Sequence, residues 1–138
     1  MEKVVLRFMD GSILKGYVEN FASSDEVVEI KKLSGEKEVV PVERLKAIFF
    51  VKTFEGDPEY NEKKAFHGSG IRFKRIFVKF KDGESMTGYI EGEVPWQKGF
   101  FLEESKKKGF FLLPADDKSN NIKVYVVAKA VRDVTLVG

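Results

Sequence analysis

The chain says the same thing twice, and any fold must honour that. Val5-Leu6-Arg7-Phe8-Met9-Asp10-Gly11, leading to Gly16-Tyr17-Val18-Glu19, returns 72 residues later. There it reads Phe77-Val78-Lys79-Phe80-Lys81-Asp82-Gly83, leading to Gly88-Tyr89-Ile90-Glu91. A second match closes each copy: residues 42–51 align with 128–137 at an offset of 86, so that Leu45 meets Val131, Ile48 meets Val134 and Val51 meets Val137. The growth in offset places a fourteen-residue insertion inside the second copy. Ordered matches at both ends argue for two copies of one structural unit. The expected layout is a first unit over 1–52, a connector over 53–73 and a second unit over 74–138, with the insertion near 93–108.

Each copy reads as short strands. Apolar residues at 4, 6 and 8 alternate with Val5 and Arg7, the period of a half-buried strand. Asp10-Gly11 predicts a tight turn, because glycine relieves the positive φ that such turns need. Residues 13–19 return, 27–31 and 38–40 follow, and Pro41 stops the ladder because it has no N–H to give. Residues 42–45 make one helical turn. The run over 47–53 is apolar at successive positions, which predicts burial on both faces. In the second copy the strands fall at 74–81, 84–92, 122–127 and 132–137, with a helical turn over 128–131. Its third strand has two near-identical claimants, Gly99-Phe100-Phe101-Leu102 and Gly109-Phe110-Phe111-Leu112. The turn signal that begins at Pro114 favours 109–113. The expected fold class is all-β: two tandem small SH3-like or Sm-like barrels of about five strands each, packed together. A unit of about 50 residues buries little surface alone, and the paired phenylalanines at 49–50, 100–101 and 110–111 exceed what one tiny core uses. The two units should therefore share a seam, with 54–70 as a strap pinned by Phe54, Tyr60 and Phe66.

Composition narrows the chemistry. The 138 residues contain no cysteine and one histidine, His67, which excludes disulfides, thiolate metal sites and multi-histidine sites. Net charge is +2, with the first unit neutral, the connector at −1 and the second unit at +3. A duplex-DNA binder carries a larger basic excess, because phosphate neutralisation dominates its affinity. No apolar run reaches the length of a membrane-spanning helix, and the N-terminal residues do not read as a secretory signal, so the expected location is cytoplasmic. His67 with Ser69 and neighbouring carboxylates lies between Gly68 and Gly70, a poor frame for catalysis. Asp116-Asp117 with Ser119-Asn120-Asn121 lacks the spacing of a calcium loop and reads as a turn. No enzyme, metal or cofactor is expected.

Resemblance adds fold more than function. Leu6, Phe8, Gly11, Gly16, Val18, Phe21 and Val28 resemble the first motif of Sm-like barrels. The polar positions of that family's uridine pocket would fall near Ala22 and between Asp25 and Val27, and they do not match. Arg72 and Arg75 are spaced by two residues rather than the three of the cyclic-dinucleotide-binding PilZ motif. The repeated Phe-x-Asp-Gly and Gly-Tyr elements, with the 45–52 and 113–121 segments, resemble an uncharacterised family of bacterial proteins of tandem small barrels, and that resemblance implies no activity.

The leading expectation is a non-catalytic binding or adaptor module acting through protein–protein contacts or self-association. Its candidate anchors are the aromatics able to sit half-exposed: Tyr17, Tyr60, Tyr89 and Trp96. The alternative is single-stranded RNA binding, along Arg75, Lys79, Lys81, Lys98, Lys106, Lys107 and Lys108 with Trp96 as a stacking ring.

Overall fold

The computed structural model describes residues 1–54, 73–91, 108–114 and 119–137. The first copy forms β1 (Glu2–Phe8), β2 (Ile13–Val18), β3 (Val27–Lys32), β4 (Lys37–Pro41), a 3-10 turn over Val42–Arg44, and β5 (Leu45–Val51). The second forms β6 (Phe73–Phe80), β7 (Ser85–Glu91), β8 (Gly109–Leu112), β9 (Asn121–Val127), a 3-10 turn over Ala128–Ala130, and β10 (Val131–Val137). Repeated residues produce repeated bonds. Phe8 N–H donates to Ser12 O and Gly11 N–H to Phe8 O; Phe80 N–H donates to Glu84 O and Gly83 N–H to Phe80 O. Gly11 and Gly83 both take φ above +90°, the conformation the Asp-Gly signal predicted. The third strand of the second unit is Gly109–Leu112, and the competing 99–102 segment lies outside the described residues.

The strand order departs from two closed barrels. One sheet runs β4-β3-β2-β1-β5-β9-β8 and the other β10-β6-β7. β5 pairs on one edge with β1 and on the other with β9, so it has no edge left for β4. β9 lies between β5 and β8, so it has none left for β10. Neither sheet closes on itself among the described residues, which overturns the SH3-like and Sm-like barrel expectation for this chain and for the family likeness built on it. Only the all-β class stands. An isolated bridge from Tyr89 to Leu113, hydrogen-bonded both ways, joins β7 to β8. A Cβ on Gly88 would stand 2.6 Å from Leu113 O, so glycine is what lets those two strands approach.

The pairing of β5 with β9 makes a wall with a core on each side. Side chains alternate across it. Ile48 and Phe50 of β5, with Tyr125 and Val127 of β9, enter the first core beside Val4, Leu6 and Ile30. Ala47 of β5, with Val124 and Val126 of β9, enters the second beside Ile76, Val78 and Phe80, with Phe49 packed against it. The unbroken apolar run of β5 is thus buried on both faces, and each copy completes the other's core. Tyr125 is fully buried, with Phe21, Phe111 and Phe50 around it, and its hydroxyl donates to Ser23 O at 2.8 Å. Burial pushes the Tyr125 phenol up from its ordinary range, the main cause being desolvation.

One buried cation also ties the copies. The Lys46 side chain on β5, 8% exposed, donates to Asp82 at 2.7 Å and stands 3.0 Å from Glu84, both in the β6–β7 turn. Its ammonium lies 4.7 Å from the centre of the Phe80 ring. Asn120 adds a staple, accepting from Thr53 N–H and donating to Thr53 O.

Two outcomes follow from the shared wall. Residues 1–52 expressed alone lack Tyr125, Val127 and Phe111, and a thermal melt of that fragment should show no cooperative transition matching the full chain. The hydrogen bond from Lys46 holds the Asp82 carboxyl below its usual range. Its stabilising effect is therefore complete above the ordinary aspartate value of about 4 and drains away as pH falls through the lowered folded-state value. Asp82→Asn should lower the melting temperature at neutral pH and lose less on acidification than the unsubstituted chain, in melts run from neutral pH down to about pH 2.

Candidate interaction surface

Strand alternation turns Val18, Val28, Ile30 and Val40 inward and leaves Tyr17, Glu29, Lys31 and Val39 on the outer face of β2, β3 and β4. The register sets Tyr17 opposite Lys31 and Glu29 opposite Val39. These residues, with Met1, line an open groove of about 470 Å³. Tyr17 meets the edge of Phe54 at 5.5 Å between ring centres, and Lys15 donates to Phe54 O at 3.2 Å. The described start of the connector is thus pinned over β2. The groove carries both signs of charge, with Glu19 and Glu29 against Lys31 and Lys37. Glu38, also in its lining, pairs with Lys32 at 3.0 Å, and Lys32 lies 3.9 Å from Glu36. The hydrogen bond to Glu38 raises the Lys32 ammonium above its ordinary value.

The groove borders the end of the seven-stranded sheet. β4 has β3 on one side and, among the described residues, no strand on the other. Val39, in its middle, is 58% exposed. An edge of this kind offers backbone N–H and C=O groups to another extended chain. Pro41 and the charged pair Lys37-Glu38 limit that edge, and only β4's central residues remain apolar.

The other sequence candidates fall in different places. Tyr89 is 7% exposed and belongs to the β7–β8 junction, so it presents no face to a partner. Tyr60, Trp96, Lys98, Lys106 and Lys107 lie outside the described residues, as do His67, Asp116 and Asp117. Lys108 is half-buried just before β8. Arg75, Lys79 and Lys81 share the outer parity of β6, since Ile76, Val78 and Phe80 face the core. Between the first two sits Phe77, 38% exposed. Its partners in register are Thr87 and Thr135, while Lys79 faces Ser85 and Asp133. That acidic neighbour weakens the positive field a phosphate would meet there. The β4 edge escaped notice because periodicity reports which face of a strand is buried and says nothing about which edge is paired. Its one sequence signal is Pro41, a residue that belongs on edges.

Among the described residues no group of three or more histidine, cysteine, aspartate or glutamate side chains is placed to hold a metal ion. No described helix is long and apolar enough to cross a membrane.

Comparison with curated proteins and with solved structures returns no match. One family model, described as a family of unknown function (DUF6982), covers residues 1–138, and the chain belongs to that family.

Proposed function

We propose that the chain is a non-catalytic cytoplasmic binding module that works through protein–protein contacts, taking an extended segment along the free edge of β4. The observation that carries this reading is the unpaired β4 edge with Val39 exposed in its centre, directly beside the Tyr17 groove. Added-strand recognition uses those two parts: backbone bonds along an edge supply affinity, and a flanking groove reads alternate side chains. Glu29 and Lys31 give the groove charges of both signs, which suits a peptide of mixed charge over a phosphate chain.

A second reading, single-stranded RNA binding, draws support from Phe77 between Arg75 and Lys79 on β6. A base stacks on such a ring while cations meet its phosphates. Two or three cations with Asp133 among them make a short path, and we rank this reading below the first.

Selection from a displayed library of random peptides tests the choice. The full chain should enrich extended sequences of alternating apolar residues. Val39→Asp should weaken their binding by about tenfold or more, with a melting temperature close to the unsubstituted value, because Val39 is outside the core. Recovery of no peptide, together with binding of random-sequence RNA at low salt that Phe77→Ala abolishes, would replace the peptide reading with the RNA one.

A further inference from the structure

The two free ends of the strand order are equivalent to the two strands that meet in the middle. The units superpose by register. Leu6 pairs Ile48 in β1–β5 as Val78 pairs Val134 in β6–β10, with the same irregularity one pair later. Val28 pairs Val40 in β3–β4 as Phe110 pairs Val126 in β8–β9. The 3-10 turns that follow β4 and β9 are also 86 residues apart. β10 is therefore the second unit's β5, and β4 is the first unit's β9. Inside the chain β5 pairs with β9. Among the described residues, the strands left without that partner are β10 and β4.

We infer that β10 of one copy pairs antiparallel with β4 of a second copy of this chain, repeating between molecules the β5–β9 join made within one. This rests on the binding-module reading and names its partner. The internal register transfers directly. Ile48 opposite Tyr125 becomes Val134 opposite Val39, and Phe50 opposite Lys123 becomes Leu136 opposite Lys37. The exposed apolar side chains sit where this requires: Val39 is 58% exposed on one edge and Leu136 55% on the other. Lysine stands at both equivalent positions. Lys123 already lies with its ammonium 4.7 Å from the Phe50 ring centre, and Lys37 would lay its stem along Leu136 in the same way.

The equivalent positions also set the strength of the contact. Asp133 and Thr135 stand where Ala47 and Phe49 stand in β5, and Pro41 stands where Val127 stands in β9. The intermolecular join therefore buries less apolar surface than the internal one and loses one donor at its end. It is a reversible, concentration-dependent contact rather than a permanent one. Its two surfaces differ, so it is head-to-tail and builds a ring or a row, not a two-fold dimer.

Sedimentation velocity of the full chain over a wide concentration range tests this. Average mass should rise with concentration. Val39→Asp and Leu136→Asp should each hold the chain monomeric, with melting curves that show both variants folded. Mixed in equal amounts, the two variants should form a heterodimer and nothing larger, since one keeps β10 and the other keeps β4. A chain that stays monomeric at every concentration overturns the inference; if it still selects peptides through β4, the binding-module reading survives it. Loss of association in only one of the variants overturns it too, because that marks a like-with-like contact.

Discussion

Everything else in the molecule depends on one strand pairing, β5 against β9. Four successive residues of β5, Ala47 to Phe50, meet β9 in register before an irregularity, and both faces of that stretch are packed: Ile48, Phe50, Tyr125 and Val127 look one way, Ala47, Val124 and Val126 the other. A sheet with both faces covered is usually covered by other elements on each side. Here the covers are the two copies' own curled sheets, so one wall serves two cores. A unit of about 50 residues is too small to bury its apolar surface unaided. The chain answers this by making the last strand of one copy and the fourth strand of the other a common property. Lys46 follows from the same arrangement. Its position on β5 brings it under the β6–β7 turn, where Asp82 and Glu84 neutralise a charge that would be costly if buried alone.

The repeat also shows how equivalent residues acquire different work. Asp10 and Asp82 open the same turn with the same backbone bonds, and in the first unit Asp10 spends its carboxylate on Ser12. In the second unit the same carboxylate holds Lys46 of the neighbouring copy. Tyr17 and Tyr89 occupy one position of the repeat, yet Tyr17 lines an open groove and Tyr89 is buried where β7 bridges β8. Phe49 and Thr135 likewise share a position; the ring packs on the second core and the hydroxyl stands at a free edge. Symmetry of sequence broke where the environments of the two copies differ.

Much of this was legible before any coordinates. Asp-Gly pairs located two hairpins, Pro41 located a strand end, and Pro114 pointed to the strand at Gly109–Leu112, because each of these signals is a local backbone constraint. The double burial of β5 was also legible from its unbroken apolar run. Its cause was not. Periodicity along one strand reports faces, and the choice between a closed barrel and an exchanged strand is made at edges, by segments seventy residues apart. Tyr125 occupies the repeat position of exposed Val39, and only the β5–β9 pairing turns its face into the neighbour's core. The β4 edge and exposed Phe77 escaped by the same route, since each depends on which strand is absent beside it. Asn120 was read as part of a turn, and its grip on Thr53 follows from where β5 ends, which composition cannot tell.

A chain that closes its cores by exchange must leave two edges behind. With the two sheets joined at β7 and β8 by the Tyr89–Leu113 bridge, the strands leave two ends among the described residues, β4 and β10, and pairing β5 with β9 consumes the edges that would otherwise have closed each unit. The residues at those ends differ from their internal counterparts in one consistent direction. Apolar Ala47 and Phe49 give way to Asp133 and Thr135, and Val127 to Pro41. Charged and proline residues on edges are the usual defence against uncontrolled pairing. Val39 and Leu136 are the exceptions, apolar and exposed on otherwise guarded edges. Full protection would have replaced them as well, and full association would have kept the internal residues. That intermediate composition fits the reversible binding edge proposed above and not a buried core.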